Sequence, residues 1–150
     1  MALHFRKTQS NDVSALFAVR GKTRDNPISK QQLAQMGITH AAVVEGLESG
    51  ELYGWVCVNQ DSVVGFCTGD MATGEVLALA VLPGFEGQGV GKRLLGNVVD
   101  QLQSNGANPV WLAADSNARV RAHGFYRRLG WLPTGDVLEN GDEILALHAT

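Results

Sequence analysis

One stretch of the sequence, Val76 to Gln103, constrains the fold more than any other. It begins with an apolar run that is typical of a buried strand, continues through a turn rich in glycine, and ends in a long amphipathic pattern. The glycines stand at alternate positions, Gly87, Gly89 and Gly91. The stretch therefore predicts a strand, a tight turn and a helix in immediate succession.

A glycine-rich turn at the start of a helix predicts an anion-binding site. Glycine lets the backbone come close to a ligand, so that several N–H groups converge on one anion, and the helix adds the positive end of its dipole. Lys92 and Arg93 place further positive charge beside the turn. A diphosphate group is the expected ligand.

Two common diphosphate motifs do not fit these residues. A P-loop ending at Gly91-Lys92 would need glycine at position 86 and Ser or Thr at position 93, where the sequence has Glu86 and Arg93. A dinucleotide fingerprint beginning at Gly87 would need a third glycine where Lys92 stands. The sequence thus disfavours nucleoside triphosphatases and nicotinamide oxidoreductases.

The same turn resembles motif A of the GNAT superfamily of N-acetyltransferases, written Arg/Gln-x-x-Gly-x-Gly/Ala. Gly89 and Gly91 match the two glycines, whereas Glu86 replaces the first residue. The resemblance covers nearly the whole chain, is strongest from Val76 to Trp131, and is closest to small bacterial-type members with an FYRRxGW ending. It implies that backbone amides of the turn hold the pyrophosphate of acetyl-CoA, the expected co-substrate.

The order of predicted elements is β, α, α, β, β, β, α, β, α, β, β. Ser29 is expected to cap a short helix, and Thr39 begins a further helical run. The predicted strands are Leu3–Thr8, Leu52–Val58, Ser62–Thr68, Glu75–Leu82, Val110–Ala114, Trp131–Leu138 and Glu143–His148. The resemblance implies an α/β (α+β) acyl-CoA N-acyltransferase fold, with a mixed, mostly antiparallel sheet of six to seven strands and about four helices. The sheet would split between its fourth and fifth strands and hold acyl-CoA in the split.

The resemblance also implies which residues contact the cofactor. The expected contacts are backbone groups of the fourth strand at Leu79 and Val81, the turn residues Gly87, Gln88, Gly89, Val90, Gly91 and Lys92, and Asn117. Leu79 and Val81 can equally be core residues. Asn117 can be a plain helix cap, since it stands farther from Tyr126 than the family's asparagine usually does.

Tyr126 occupies the position of the family's tyrosine acid. A phenol can protonate a departing thiolate because their intrinsic pKa values, near ~10 and ~8.5, are similar. Glu75, at the start of the fourth strand, is the candidate base, directly or through water, and His123 is a second candidate. Each also has a structural interpretation, as a packed aromatic, a solvated carboxylate and a surface histidine respectively.

The acceptor side is expected to involve Arg24, Asn26 and Trp55. In the fold that the resemblance implies, the entrance for the acceptor lies opposite the cofactor. It is bordered by the loop from Gly21 to Ser29 and by the hairpin that contains Trp55. Solvated charge and core packing are the alternative interpretations of these residues.

The composition favours one globular domain, residues 1–150. The chain carries 12 basic and 15 acidic residues, a net charge of -3, which offers no general attraction for nucleic acid or anionic membrane. No apolar run reaches the roughly 18 residues of a membrane helix, and the first residues lack a signal-peptide core, so we expect a cytoplasmic protein.

The cysteine and histidine residues indicate neither a disulfide nor a metal site. Cys57 and Cys67 are interpreted as buried thiols, and a hairpin turning at Gln60-Asp61 would place Cys57 opposite Val64. The four histidines show no metal-ligand spacing. We expect no metal.

Two functions remain open. The first is an N-acetyltransferase that moves the acetyl group of acetyl-CoA directly to a primary amine, of a small molecule or a peptide, in a ternary complex. The second is a non-catalytic acyl-CoA-binding or regulatory module on the same fold. The family resemblance also makes a homodimer possible, and fold alone does not identify the acceptor.

Overall fold

A computed structural model of the chain describes residues 2–23, 27–117 and 119–149. The strands are β1 (Leu3–Lys7), β2 (Leu52–Asn59), β3 (Ser62–Asp70), β4 (Glu75–Val81), β5 (Val110–Ala114), β6 (Leu132–Val137) and β7 (Glu143–Leu147). The helices are α1 (Val13–Arg20), α2 (Lys30–Gln35), α3 (His40–Ser49), α4 (Val90–Ser104) and α5 (Arg121–Arg128). Short 3-10 turns cover Ser10–Asp12 and Pro83–Phe85. Within the described residues, no helix is long and apolar enough to cross a lipid bilayer.

The seven strands form one sheet in the order β1-β2-β3-β4-β5-β7-β6. All neighbouring strands are antiparallel except β4 and β5, which are parallel and share a single register pair, Glu75 with Trp111. The expected mixed, mostly antiparallel sheet is therefore confirmed. Of the five helices among the described residues, α2 has only six residues, and the other four are longer.

The sheet opens between β4 and β5 beyond their one shared pair. The ladder between β3 and β4 shifts where Gly69 pairs with Val76 and Thr68 pairs with Ala78, which leaves Leu77 without a partner. Such a bulge bends its strand and increases the local twist. Leu77 is 46% exposed although β4 lies in the middle of the sheet.

Apolar side chains pack on both faces of the sheet. Consecutive residues of a strand point to opposite faces, and Val56 belongs to the core beneath α1 while Cys57 belongs to the core beneath α4. The predicted stripe of α4 is buried throughout, at Val90, Leu94, Leu95, Val98, Val99 and Leu102. Helix α5 also packs on the α4 face, through Tyr126.

The helix starts predicted at Ser29 and Thr39 are confirmed. Ser29 caps α2 by accepting from the N–H of Gln32, and the side chain of Thr39 accepts from the N–H of Ala42 at the start of α3. Gly130 follows α5 with a φ of 95°, in the left-handed region that favours glycine.

The hairpin of β2 and β3 differs from the expected register. Cys57 lies opposite Gly65 rather than Val64, because the ladder shifts between Cys57 and Val58. Both cysteines are free and buried, as predicted. A Cβ on Gly65 would lie 3.3 Å from both Leu94 and Val90 of α4, so the shift places the residue without a side chain where α4 approaches the sheet.

Candidate active site

The glycine turn after β4 has the backbone conformation that only glycine adopts easily. Gly87 and Gly89 have φ values of 79° and 81°, both in the left-handed region. A Cβ built on either residue would meet no atom within 4 Å. The glycines are therefore required by the backbone dihedrals, and the space in front of them is open to a ligand.

The turn presents a run of unpaired backbone donors. Among the described residues, no acceptor pairs with the N–H groups from Gly87 to Lys92, and the helix ladder begins only with the 3.1 Å bond from Arg93 N to Gly89 O. Unpaired N–H groups at a helix N-terminus attract anions, and no acidic side chain occupies the first turn of α4. The six predicted residues of the turn thus present one contiguous run of N–H groups without acceptors among the described residues.

The turn, β4 and α5 meet at Gly91. A Cβ on Gly91 would lie 3.5 Å from Cζ of Phe125 and 3.8 Å from Cγ2 of Val81. Helix α5, which follows β5, therefore packs against the turn that follows β4. Phe125 was not among the predicted site residues, although it stands next to Tyr126 in the FYRRLGW segment.

Tyr126 lies inside this junction. Its side chain is only 8% exposed and makes edge-to-face contacts with Phe125, at 5.2 Å between ring centroids, and with Trp131, at 5.8 Å. Burial raises the pKa of Tyr126, the nearby Cys67 raises it further, and the positive charge of Arg20 opposes both. The phenol consequently keeps its proton at neutral pH, which is the state an acid needs.

Leu79 and Val81 lie on β4 where its edge towards β5 has no partner strand. Their partners across the sheet are Cys67 and Gly65 of β3, whereas the register with β5 stops at Glu75. Both side chains are partly buried against the α4-side core. Backbone groups beyond Glu75 thus leave one edge of a central strand available to an extended ligand.

Glu75 lies at the closed end of the split. Burial raises the pKa of Glu75, and the charge of its cross-strand partner Asp70 raises it further. The seven residues of β4 place Glu75 roughly 20 Å from Val81 at about 3.3 Å per residue. Glu75 therefore lies at the end of the strand opposite the turn.

Asn117 does not begin α5, so its interpretation as the helix cap is wrong. The helix starts at Arg121 with Val120 in the cap position. The side chain of Asn117 instead accepts from the N–H of Arg119 at 3.0 Å, in a local turn that precedes the helix. A short polar side chain that closes such a turn competes with helix formation.

Of the three predicted acceptor residues, Trp55 is the one that lies within the described part of the chain. Trp55 lies opposite Cys67 on the α4 face, and its Nε1 donates to the hydroxyl of Tyr53 at 2.9 Å. Helix α1 packs on the other face of the sheet. Arg24 and Asn26 lie outside the described residues.

One contact at the site had no signal in the local sequence. Glu86, the residue that departs from motif A, forms an ion pair of 2.9 Å with Arg121 at the start of α5. The two residues are 35 positions apart, and only the parallel arrangement of β4 and β5 brings the loops that follow them to the same edge. An ion pair therefore connects the loop after β4 with the start of α5, across the split.

Comparisons with known proteins agree with this geometry. A model of the acetyltransferase (GNAT) family matches residues 23–131. Mycothiol acetyltransferase from Beutenbergia cavernae is 40% identical over 65 residues, which cover 43% of this chain and 21% of that protein. The matched segment thus spans about a fifth of that relative's length.

Solved structures share the fold at low identity. PaiA N-acetyltransferase from Thermoplasma acidophilum, in complex with coenzyme A, superimposes with a TM-score of 0.81 at 16% identity, over 99% of this chain and 100% of that one. The ribosomal-protein-S18-alanine N-acetyltransferase from Escherichia coli gives 0.66 at 20% identity, over 98% and 94%. The family model covers more than half of the sequence, including β4, the glycine turn, α4 and α5, and the chain therefore belongs to the acetyltransferase (GNAT) family.

Proposed function

We propose that this protein transfers the acetyl group of acetyl-CoA to a primary amine, directly and in a ternary complex. The observation that carries the proposal is the run of unpaired N–H groups from Gly87 to Lys92, next to the unpaired edge of β4. The family to which the chain belongs and the coenzyme A bound in the Thermoplasma relative support the same ligand.

The residues present fit the two ends of such a ligand. The N–H groups of the turn match a diphosphate, because each donor otherwise lacks an acceptor. The free edge of β4 near Leu79 and Val81 matches the amide groups of a pantetheine arm, which can pair as an added strand does. Asn117 is exposed in the segment that follows β5, and our proposal keeps it as a further contact.

The reaction requires one bond to form and one to break. The neutral amine attacks the carbonyl carbon of the thioester, a C–N bond forms, and the C–S bond breaks. In our proposal Tyr126 gives its proton to the departing thiolate, and the proton released by the amine passes along a chain of water molecules in the split to Glu75 at its closed end. The raised pKa of Glu75 suits a base, because proton transfer is most effective when the pKa of the base approaches the working pH.

Burial affects both partners of the Tyr126 step in the same direction. An apolar site disfavours the phenolate, and it disfavours the thiolate as well. The proton transfer from Tyr126 therefore stays nearly balanced although the pKa of Tyr126 is raised. The edge-to-face contacts with Phe125 and Trp131 fix the direction of the phenol ring.

Calorimetric titration with acetyl-CoA, with ATP and NAD as control ligands, tests the cofactor assignment first. We expect selective binding of acetyl-CoA. A panel of small-molecule and peptide amines, followed by thiol release, then identifies acceptors. A folded protein that does not bind acetyl-CoA would contradict the proposal, and binding without transfer across the panel would favour the non-catalytic acyl-CoA-binding module.

The role of Tyr126 has a matched control within the chain. Tyr126→Phe should lower kcat by about 100-fold or more, the usual scale for loss of a general acid, while the dissociation constant of acetyl-CoA stays within about 3-fold. Tyr53→Phe removes the chain's other phenol, whose hydroxyl accepts from Trp55 on β2, and should leave kcat unchanged. Equal turnover of wild type and Tyr126→Phe would show that Tyr126 is not the acid.

A further inference from the structure

The ion pair between Glu86 and Arg121 lies across the open end of the split. Glu86 is the last residue before the glycine turn, which follows β4, and Arg121 is the first residue of α5, which follows β5. Their side chains are 2.9 Å apart, with 21% of Glu86 and 46% of Arg121 exposed. The pair joins the two loops between which a bound cofactor would have to lie.

The charges in this pair act in opposite ways on an anion at the turn. Glu86 directly precedes the six unpaired N–H groups, so its carboxylate repels a phosphate that approaches them. Arg121 brings a guanidinium to the same place, and guanidinium binds phosphate as well as carboxylate, through the same two-pronged geometry. A phosphate and Glu86 are thus alternative partners for Arg121.

We propose that Glu86 and Arg121 form an electrostatic gate, in which Arg121 exchanges the Glu86 carboxylate for a phosphate of the incoming cofactor. Arg121 then strengthens cofactor binding, and Glu86 weakens it by competing for Arg121 and by repelling the phosphate. The gate rests on the proposed function, since it requires that the turn holds a phosphate-bearing thioester.

Such a gate explains why an acidic residue is compatible with this position. The motif has Arg or Gln where the chain has Glu86, and a carboxylate beside an anion site is unfavourable unless a cation offsets it. Arg121 supplies that cation from the other side of the split. An acidic competitor at the turn also favours release of the spent cofactor after each turnover.

A purely structural role for the pair gives a different expectation. A tether between α5 and the turn would lose its effect when either residue is changed, so both single variants would alter cofactor affinity in the same direction. The gate instead predicts changes of opposite sign. Both side chains are partly exposed, so neither substitution is expected to unfold the chain, and thermal melting checks this.

The test is calorimetric titration of the full chain with coenzyme A, for the wild type and the variants Glu86→Gln and Arg121→Gln. Glu86→Gln should bind coenzyme A about 3- to 10-fold more tightly, and Arg121→Gln about 3- to 10-fold more weakly, the scale of one charge-assisted contact. Arg121→Lys, which keeps the charge, should recover part of the affinity. Pantetheine, which has no phosphate, is the matched control ligand, and its affinity should not change in any variant.

The same titration with 3′-dephospho-coenzyme A identifies the phosphate concerned. An effect of Arg121→Gln that persists assigns Arg121 to the pyrophosphate, and one that disappears assigns it to the 3′-phosphate. Affinity changes of the same sign in both single variants, or changes that extend to pantetheine, would overturn the gate alone. A folded wild type that does not bind coenzyme A would overturn the proposed function together with the gate.

Discussion

Replacing Gly89 with alanine tests whether the conformation of the turn, rather than space around it, requires glycine. Gly89 has a φ of 81°, and a Cβ there would meet no protein atom within 4 Å. The substitution therefore adds no clash, and its cost is that of holding alanine in the left-handed region, about 1–2 kcal/mol. For a chain of this size that corresponds to a lower melting temperature by about 2–8 °C.

Gly96 provides the matched control because it lies in α4, the helix that Gly89 directly precedes, and is also exposed. A Cβ on Gly96 would likewise meet nothing within 4 Å, but this residue has ordinary helical dihedrals. Gly96→Ala should therefore stabilise the chain by about 0.8–1 kcal/mol, the difference in helix propensity between the two residues. The same chemical change thus has opposite signs at two positions seven residues apart.

Differential scanning calorimetry and urea unfolding measure the two stabilities, and titration with coenzyme A measures the consequence for binding. Any relaxation of alanine at position 89 towards negative φ, which would lower this strain, turns the N–H groups of the turn away from a shared anion. We expect weaker binding by Gly89→Ala and unchanged binding by Gly96→Ala. A Gly89→Ala variant as stable as the wild type, with the same affinity, would refute the reasoning.

Three further predictions concern packing and charge. Gly69→Ala should destabilise the chain by about 1–3 kcal/mol in urea unfolding, because its Cβ would lie 2.8 Å from Cγ1 of Val98; a change below about 0.5 kcal/mol would contradict the packing of α4 on the sheet. Asp12→Asn should cost about 1–3 kcal/mol at neutral pH, because the Asp12 carboxylate accepts from Arg6 at 2.8 and 2.9 Å. The hydrogen bond from Arg6 lowers the pKa of Asp12. The contribution of Asp12 to the free energy of unfolding is therefore complete above roughly pH 5 and is lost as the pH falls through its folded-state pKa. An Asp12→Asn variant whose stability falls at acid pH as that of the wild type does would exclude Asp12 as the cause of that fall. Glu75→Gln should remove the acidic limb of the profile of kcat/KM against pH, since a base with a raised pKa must lose its proton to act; an unchanged profile would exclude Glu75 as the base.

Local chemistry explains why much of the fold could be predicted from the sequence. Ser29 caps the helix it was expected to cap, Thr39 stands where a helical run was expected to begin, and β5 has the predicted bounds, Val110–Ala114. The inward stripe of α4 is buried at every predicted position. These features depend on neighbours within one or two helical turns or along one strand, which the sequence displays directly.

Features that depend on partners distant in the sequence could not be predicted in this way. The bulge at Leu77 changes which residues of β4 face α4. None of the residue types at this point of the sequence indicates a bulge. The face occupied by Trp55 follows from the assembled sheet, and the pairing of Glu86 with Arg121 follows from two loops that meet only in the fold. Helix α5 starts at Arg121, later than a cap at Asn117 would place it. The side chain of Asn117 instead accepts from the N–H of Arg119 in a turn before the helix.

The single register pair between β4 and β5 also has a mechanical consequence. The two parts of the sheet, β1 to β4 and β5 to β7, are joined as strands only at the pair of Glu75 and Trp111 in the described residues. Nε1 of Trp111 reinforces this junction by donating to the carbonyl of Thr73 at 3.1 Å. The angle between the two parts should therefore respond to the packing of the aromatic rings of α5, since Cζ of Phe125 would lie 3.5 Å from a Cβ on Gly91, next to Val81 of β4. Natural variation in those rings can therefore widen or narrow the gap, and so change the size of the group it admits, without breaking any strand ladder.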